Sequence, residues 1–314
     1  MKIFIEIPTW LGDAVMATPA IENIVKNYPK CELIIFGSFV STKLFLNHPN
    51  VKKIIIDNSK SSGNRYLNLF KLAKSVEQVD MAFSFRRNFT TNFLLFFINT
   101  KQKFIYQRYT KDQIHQVIRY NDFINKSLTI DTTPDDLKIY LNQDIVKSEK
   151  RLLGINPGAT YGSAKRWYPK EFAKVAIKLS SQYNIVIFGG PGEVDIAADI
   201  EDEIKAAGVL NYTNLAGKTT IPELIEKIAS LDLFITGDSG PMHVAAAFKI
   251  PTISIFGPTK DIETSQWNNL DGKIVKKDFD CAPCMKRVCP LNDNRNHQCM
   301  KAITAQDILE TINK

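Results

Sequence analysis

Leu233-Phe234-Ile235-Thr236-Gly237-Asp238-Ser239-Gly240-Pro241-Met242-His243-Val244-Ala245-Ala246-Ala247 decides the fold. Residues 233–236 are a short apolar run, the pattern of a strand buried on both faces of a parallel sheet. Gly237 to Gly240 is a polar turn. Pro241 opens a helix, because a first-turn position loses nothing by lacking an N–H. The alanines that follow let that helix lie close to a sheet. Strand, turn and helix together make half of a βαβ unit.

The same unit recurs on both sides. Residues 152–155 and 185–188 read as strands, the second ending in Gly189-Gly190-Pro191-Gly192. Helices are expected over 168–181, with Pro169 in the first turn, and over 194–206. Residues 252–256 form another strand, stopped by Gly257-Pro258, and a last helix covers 304–313. Towards the N-terminus, Ile3, Ile5 and Ile7 begin a strand, residues 8–12 turn, and a helix runs from 13 to about 26. Strands follow at 33–36, 53–57 and 81–85. The stretch 127–150 is polar and weakly patterned, and includes Thr132-Thr133-Pro134-Asp135-Asp136. Its end is the natural linker. The reading is α/β: two Rossmann-like domains, 1–148 and 149–314, with parallel sheets facing across a cleft. Ligands are expected near the strand C-terminal ends.

Length and composition agree. The chain has 314 residues, 44% hydrophobic and 23% charged, which suits about two globular domains. Nineteen Phe and ten Tyr exclude a disordered chain. The net charge of +7 lies wholly in one half: residues 1–148 hold 20 Lys+Arg against 13 Asp+Glu, residues 149–314 hold 20 of each. The first half therefore suits an anionic partner, either nucleic acid, a phospholipid surface or a phosphorylated substrate, or is simply a solvated surface. Glu6 and Pro8 interrupt any signal-like run, and the longest apolar run, 93–98, is far below the ~20 residues of a spanning helix. A cytoplasmic protein is the default. Cysteine usage fits it, with a lone Cys31 and a cluster at Cys281, Cys284, Cys289 and Cys299.

Four motifs carry chemistry. In Pro8-Thr9-Trp10-Leu11-Gly12-Asp13, Asp13 stands at a helix start, as an N-cap or as a carboxylate available to act as a general base. In Asn156-Pro157-Gly158-Ala159-Thr160-Tyr161-Gly162-Ser163-Ala164-Lys165-Arg166-Trp167, two cations precede a helix whose N-terminus disfavours them. They are surface charges or the holders of an anionic ligand. Ser239, Gly240 and the first-turn amides after them can cradle a phosphate. Asp238 and His243 flank that cradle, and His243 alone reads as a packing residue. Neither G-x-G-x-x-G nor a P-loop is present, so standard dinucleotide and ATPase readings lose ground. The four clustered cysteines, with His297 as a spare donor, can bind zinc tetrahedrally, or are reduced thiols or a redox pair.

Taken in order, these motifs resemble the ADP-heptose:lipopolysaccharide heptosyltransferases, glycosyltransferase family 9, with the branch that adds the second heptose the nearer likeness. The matching stretches are Trp10-Leu11-Gly12-Asp13, Asn156-Pro157-Gly158-Ala159 with Ala164-Lys165-Arg166-Trp167, Leu215-Ala216-Gly217-Lys218-Thr219, Asp238-Ser239-Gly240-Pro241-Met242-His243, Phe256-Gly257-Pro258-Thr259 and Cys289-Pro290-Leu291. The resemblance implies a GT-B fold, with acceptor bound by the N-terminal domain and nucleotide sugar by the C-terminal one. It also implies a last helix able to pack back on the first domain. It implies a single inverting displacement with no required cofactor: Asp13 takes the acceptor proton, Lys165 neutralises the leaving diphosphate, Ser239 and Gly240 cradle it, and Asp238 holds donor sugar hydroxyls. Arg166 and His243 take lesser donor roles. Ser84, Arg86, Arg87 and Arg108 are the acceptor candidates. The partners implied are ADP-heptose, an anionic Kdo-lipid A-type acceptor and the inner-membrane surface, with no nucleic acid. Heptosyltransferase I, another GT-B enzyme with a different nucleotide sugar, and a non-enzymatic nucleic-acid binder are the alternatives.

Overall fold

The computed structural model describes residues 1–61 and 63–313. The chain forms two compact units, Met1–Gln143 and Asp144–Lys314. The division falls slightly before the expected 148/149 break. Lys147 explains this, since its ammonium donates to the Ser230 and Leu231 carbonyls of the second unit.

The first unit runs β1 (Lys2–Glu6), α1 (Leu11–Met16), α2 (Thr18–Asn27), β2 (Glu32–Gly37), α3 (Phe39–Thr42), β3 (Val51–Ile56), α4 (Arg65–Lys74), β4 (Met81–Ser84), α5 (Phe89–Phe97), β5 (Gln102–Ile105) and α6 (Gln116–Leu128). The strands form one parallel sheet in the order β3-β2-β1-β4-β5. The helix expected over 13–26 is two helices. Pro19 has no N–H to continue the ladder, so the chain restarts at Thr18, whose hydroxyl caps back on the Val15 carbonyl at 2.7 Å. Phe4, Ile34 and Phe36 fill the core against Leu69 and Ala73 of α4 and Leu94 and Leu95 of α5.

The second unit runs β6 (Leu152–Asn156), α7 (Pro169–Leu179), β7 (Asn184–Ile187), α8 (Val194–Ala206), β8 (Tyr212–Asn214), α9 (Ile221–Ala229), β9 (Leu233–Gly237), α10 (Gly240–Ala247), β10 (Thr252–Ile255), α11 (Asp261–Thr264), β11 (Gly272–Val275), α12 (Gln298–Lys301) and α13 (Ala305–Ile312). Its parallel sheet has the order β11-β10-β9-β6-β7-β8. The final helix packs within its own unit: Ile308 is fully buried in the core that β10, β11 and α7 share, and the Thr304 side chain caps α13. Its apolar stripe lies beside its own sheet and α7.

Both sheets reverse direction of growth at one place, between β1 and β4 and between β6 and β9. Crevices at such switch points, beyond the strand C-termini, are where doubly wound sheets bind ligands.

Candidate functional site

In the second unit three strand ends converge on Asp238. Lys165, in the loop after β6, places Nζ 2.6 Å from Asp238 Oδ2 and donates to the Asp238 carbonyl at 3.0 Å. Thr259, after β10, donates to the same carboxylate oxygen at 2.7 Å. The pair is largely buried, the two side chains being 13% and 7% exposed. With two of its three N–H bonds engaged, the ammonium keeps one for a further anion. Lys165 also lies over the Tyr161 ring at 4.9 Å.

Ser239 is the N-cap residue of α10, but its side chain does not cap the helix. Its hydroxyl instead meets Thr236 Oγ1 at 3.0 Å and accepts from Asn156 Nδ2 at 3.3 Å. Pro241 contributes no amide and the Met242 amide donates to the Ser239 carbonyl at 3.2 Å. The cradle therefore rests on Gly240 and the helix dipole more than on a full turn of amides. His243 is buried in the body of α10, at 3% exposure. Arg166 is half-buried, and among the described residues its Nε has no partner.

One residue of this site escaped the sequence reading. Glu193 follows the glycine turn after β7, is 9% exposed, and accepts from the Gly190 amide at 2.7 Å. A Cβ on Gly158 would fall 2.0 Å from its carboxyl carbon, so a larger residue there would push the Glu193 carboxylate aside. The available signal was an acid past the second strand of a Rossmann-like half, where a carboxylate meets ribose hydroxyls.

The cysteine segment braces the Lys165 loop. Ala164 N–H donates to the Arg287 carbonyl at 3.0 Å, Tyr161 OH to the Met285 carbonyl at 3.0 Å, and Trp167 Nε1 to the Ile303 carbonyl at 2.9 Å. A Cβ on Gly162 would stand 2.2 Å from the Arg287 carbonyl oxygen, so the close approach requires glycine. Cys281, Cys284, Cys289 and Cys299 line one small pocket with His297. Both His297 ring nitrogens are engaged, one with Tyr168 OH and one with the Ala164 carbonyl, each at 2.9 Å, which removes it as a spare ligand. Burial, then the neighbouring thiols, push Cys299 up to about 11. All the cysteines are unpaired, and among the described residues no three His, Cys, Asp or Glu donors stand where one ion could reach them.

In the first unit Asp13 lies in the first turn of α1, where Trp10 and not Asp13 holds the N-cap position. It is half-buried. Tyr120 of α6 donates its phenol to the Asp13 carboxylate. Burial and that negative neighbour push the phenol well above the usual tyrosine range, so it stays a donor. Asp13 thus has a fixed direction.

The acceptor candidates separate. Ser84 is fully buried and donates to Glu6 Oε2 at 2.5 Å, while Arg86 Nη1 donates to Glu6 Oε1 at 3.1 Å. These two hold an acid at the C-terminal end of the central strand β1. Arg108 folds onto its own loop through the Thr110 carbonyl at 3.0 Å, and Arg87 is exposed. Burial raises the Glu6 carboxyl above its usual range and Arg86 opposes that rise. Arg86→Ala is expected to cost about 3–5 kcal/mol near neutral pH, by stranding a buried carboxylate. The deficit should narrow on acidification, because a protonated Glu6 needs no counter-ion. Urea unfolding of Arg86→Ala and of Arg86→Ala/Glu6→Gln checks this; equal losses in both would refute it.

Comparison with known proteins bears on this geometry. The profile of glycosyltransferase family 9 (heptosyltransferase) matches residues 70–294. The chain is 43% identical to lipooligosaccharide heptosyltransferase 2 of Campylobacter jejuni, over 100% of this chain and 99% of the relative. Among solved structures, Escherichia coli ADP-heptose lps heptosyltransferase II superposes with a TM-score of 0.79 at 22% identity, covering 100% and 98% of the two chains. A family 9 glycosyl transferase from Veillonella parvula superposes at 0.82 with 20% identity, covering 99% and 96%.

Proposed function

The chain belongs to glycosyltransferase family 9, and from that membership we propose that it transfers heptose from ADP-heptose to the first heptose of a lipooligosaccharide inner core. It is a glycosyltransferase of GT-B fold. The full-length likeness to the Campylobacter jejuni heptosyltransferase 2 carries the substrate reading. No helix among the described residues is long and apolar enough to cross a membrane. We place the chain in the cytoplasm, meeting its lipid-borne acceptor at the inner-membrane surface.

The reaction is a single displacement with inversion. The acceptor hydroxyl oxygen bonds to C1 of the donor heptose as its proton passes to Asp13. The C1–oxygen bond to the diphosphate breaks, and ADP leaves with the electron pair. Lys165 neutralises the diphosphate, with Gly240 and the α10 N-terminus at its other side. Asp238, held by Lys165 and Thr259, receives donor sugar hydroxyls, and Glu193 the ribose. Arg87, exposed beyond β4, is the acceptor-side cation that stays open to a phosphorylated core. Ser84 and Arg86 act behind it through Glu6, and Arg108 by shaping its loop.

Purified protein with ADP-heptose and mono-heptosylated Kdo-lipid A is expected to release ADP. Turnover confined to unheptosylated Kdo-lipid A would reassign it to the first heptose. Preference for a UDP- or GDP-sugar would reassign the donor, and no turnover with any of these overturns the reading.

A further inference from the structure

The outer face of the α4–α5 helix pair is aromatic, exposed and ringed by cations. Leu69, Ala73, Leu94 and Leu95 on the inner face belong to the core. On the outer face Leu67 is 61% exposed, Phe89 70% and Phe96 74%, with Tyr66 and Phe70 exposed beside them. The rings form one seam across the two helices. Tyr66 meets Phe89 at 5.9 Å and Phe93 at 5.2 Å, and Phe70 meets Phe97 at 4.9 Å. Phe93 and Phe97 also pack on the core, but the exposed rings beside them serve neither the core nor the transfer reaction, and exposed patches of large apolar side chains mark interaction sites.

The charges around the seam are mostly positive. Residues 60–103 carry eight Lys or Arg and only Glu77 and Asp80 as acids. Lys2 engages both acids, the first through its ammonium and the second through its backbone amide. Lys74 lies 5.8 Å over the Phe70 ring, and Lys103 Nζ reaches the Phe96 carbonyl at 3.2 Å. Aromatic rings with ammonium groups at their margins suit the boundary between acyl chains and anionic headgroups: the rings enter the apolar layer, and the lysines stay among the phosphates.

We infer that the α4–α5 face docks the protein on an anionic bilayer. The inference deepens the proposed function and rests on it for its purpose, since a lipid-borne acceptor must be met at a membrane. Two weak signals act together here, apolar insertion and basic attraction, as reversible peripheral binding requires.

Co-sedimentation with mixed phosphatidylcholine–phosphatidylglycerol vesicles, compared with pure phosphatidylcholine, tests it without any acceptor present. The wild-type chain should pellet with the anionic vesicles only, and less so as salt rises. Phe89→Ser/Phe96→Ser should lower vesicle affinity at least about tenfold. Lys71→Glu/Lys74→Glu should lower it too, and in both variants ADP should still raise the melting temperature as in wild type. No wild-type binding, binding unchanged by either pair, or a wild-type dimer that the Phe pair converts to monomer would each overturn the inference. Vesicle binding without heptosyl transfer would overturn the proposed function and leave the docking face standing. Transfer to detergent-dispersed acceptor without vesicle binding would do the reverse.

Discussion

Asp13→Asn should lower kcat by about 10²–10⁴ while ADP-heptose affinity stays near the wild-type value. The substitution keeps the shape of the side chain and an oxygen for the Tyr120 phenol, so α1 and its contact with α6 survive. What it removes is the ability to take a proton. An acceptor hydroxyl must lose that proton as it attacks, and an amide cannot receive it. Donor affinity is spared because the groups proposed to bind the donor, Lys165, Asp238 and Gly240, lie in the other unit. Steady-state ADP release with donor and acceptor varied separately, together with donor titration by calorimetry, checks this. A loss confined to kcat marks a transition-state role, whereas unchanged turnover removes Asp13 as the base. Tyr120→Phe should give a milder loss, since it frees the carboxylate's direction but not its basicity.

Lys165→Met carries the second large effect, in two separable parts. In the proposed reaction the ammonium is a preorganised charge at the leaving diphosphate, and losing one such stabiliser lowers kcat by about 10²–10³. Lys165 is also the counter-ion of a nearly buried Asp238. Removing it leaves that carboxylate with the Thr259 hydroxyl and costs stability, about 3–5 kcal/mol on the scale of a broken buried pair. The double variant Lys165→Met/Asp238→Asn should recover most of the melting temperature and none of the turnover. Recovery of both would make Lys165 a structural residue only. Lys165→Arg should keep part of the activity, because the planar guanidinium carries the charge but cannot reproduce the point contact at 2.6 Å.

The central strands were legible because they are buried on both faces. β1, β2, β4, β6, β7, β9 and β10 read as apolar runs close to their observed bounds. β5, β8 and β11 were not legible. Each is a short strand at a sheet edge and carries exposed or half-buried positions, so Gln102, Thr213 and Lys273 break the apolar pattern. The α1–α2 break was written in Pro19, yet the amphipathic pattern on either side of it read as continuous.

The sequence by itself determined the α/β class, the two units and the family, and it named the residues proposed for donor chemistry. Those features are local: periodicity, turn residues and motifs a few positions long. Only the tertiary structure decided which of the named side chains are committed elsewhere. Ser84 and Arg86 turn inward to Glu6, and Glu193 enters beneath Gly158. His297 is taken by Tyr168 and Ala164, and the last helix lies beside its own sheet. Those partners lie tens of positions apart or more along most of these pairs, and a contact between such residues depends on how the sheet brings strand ends together. The first-half excess of positive charge was visible from the start. That part of it rings an exposed aromatic seam became visible only when α4 and α5 packed side by side and turned those rings outward.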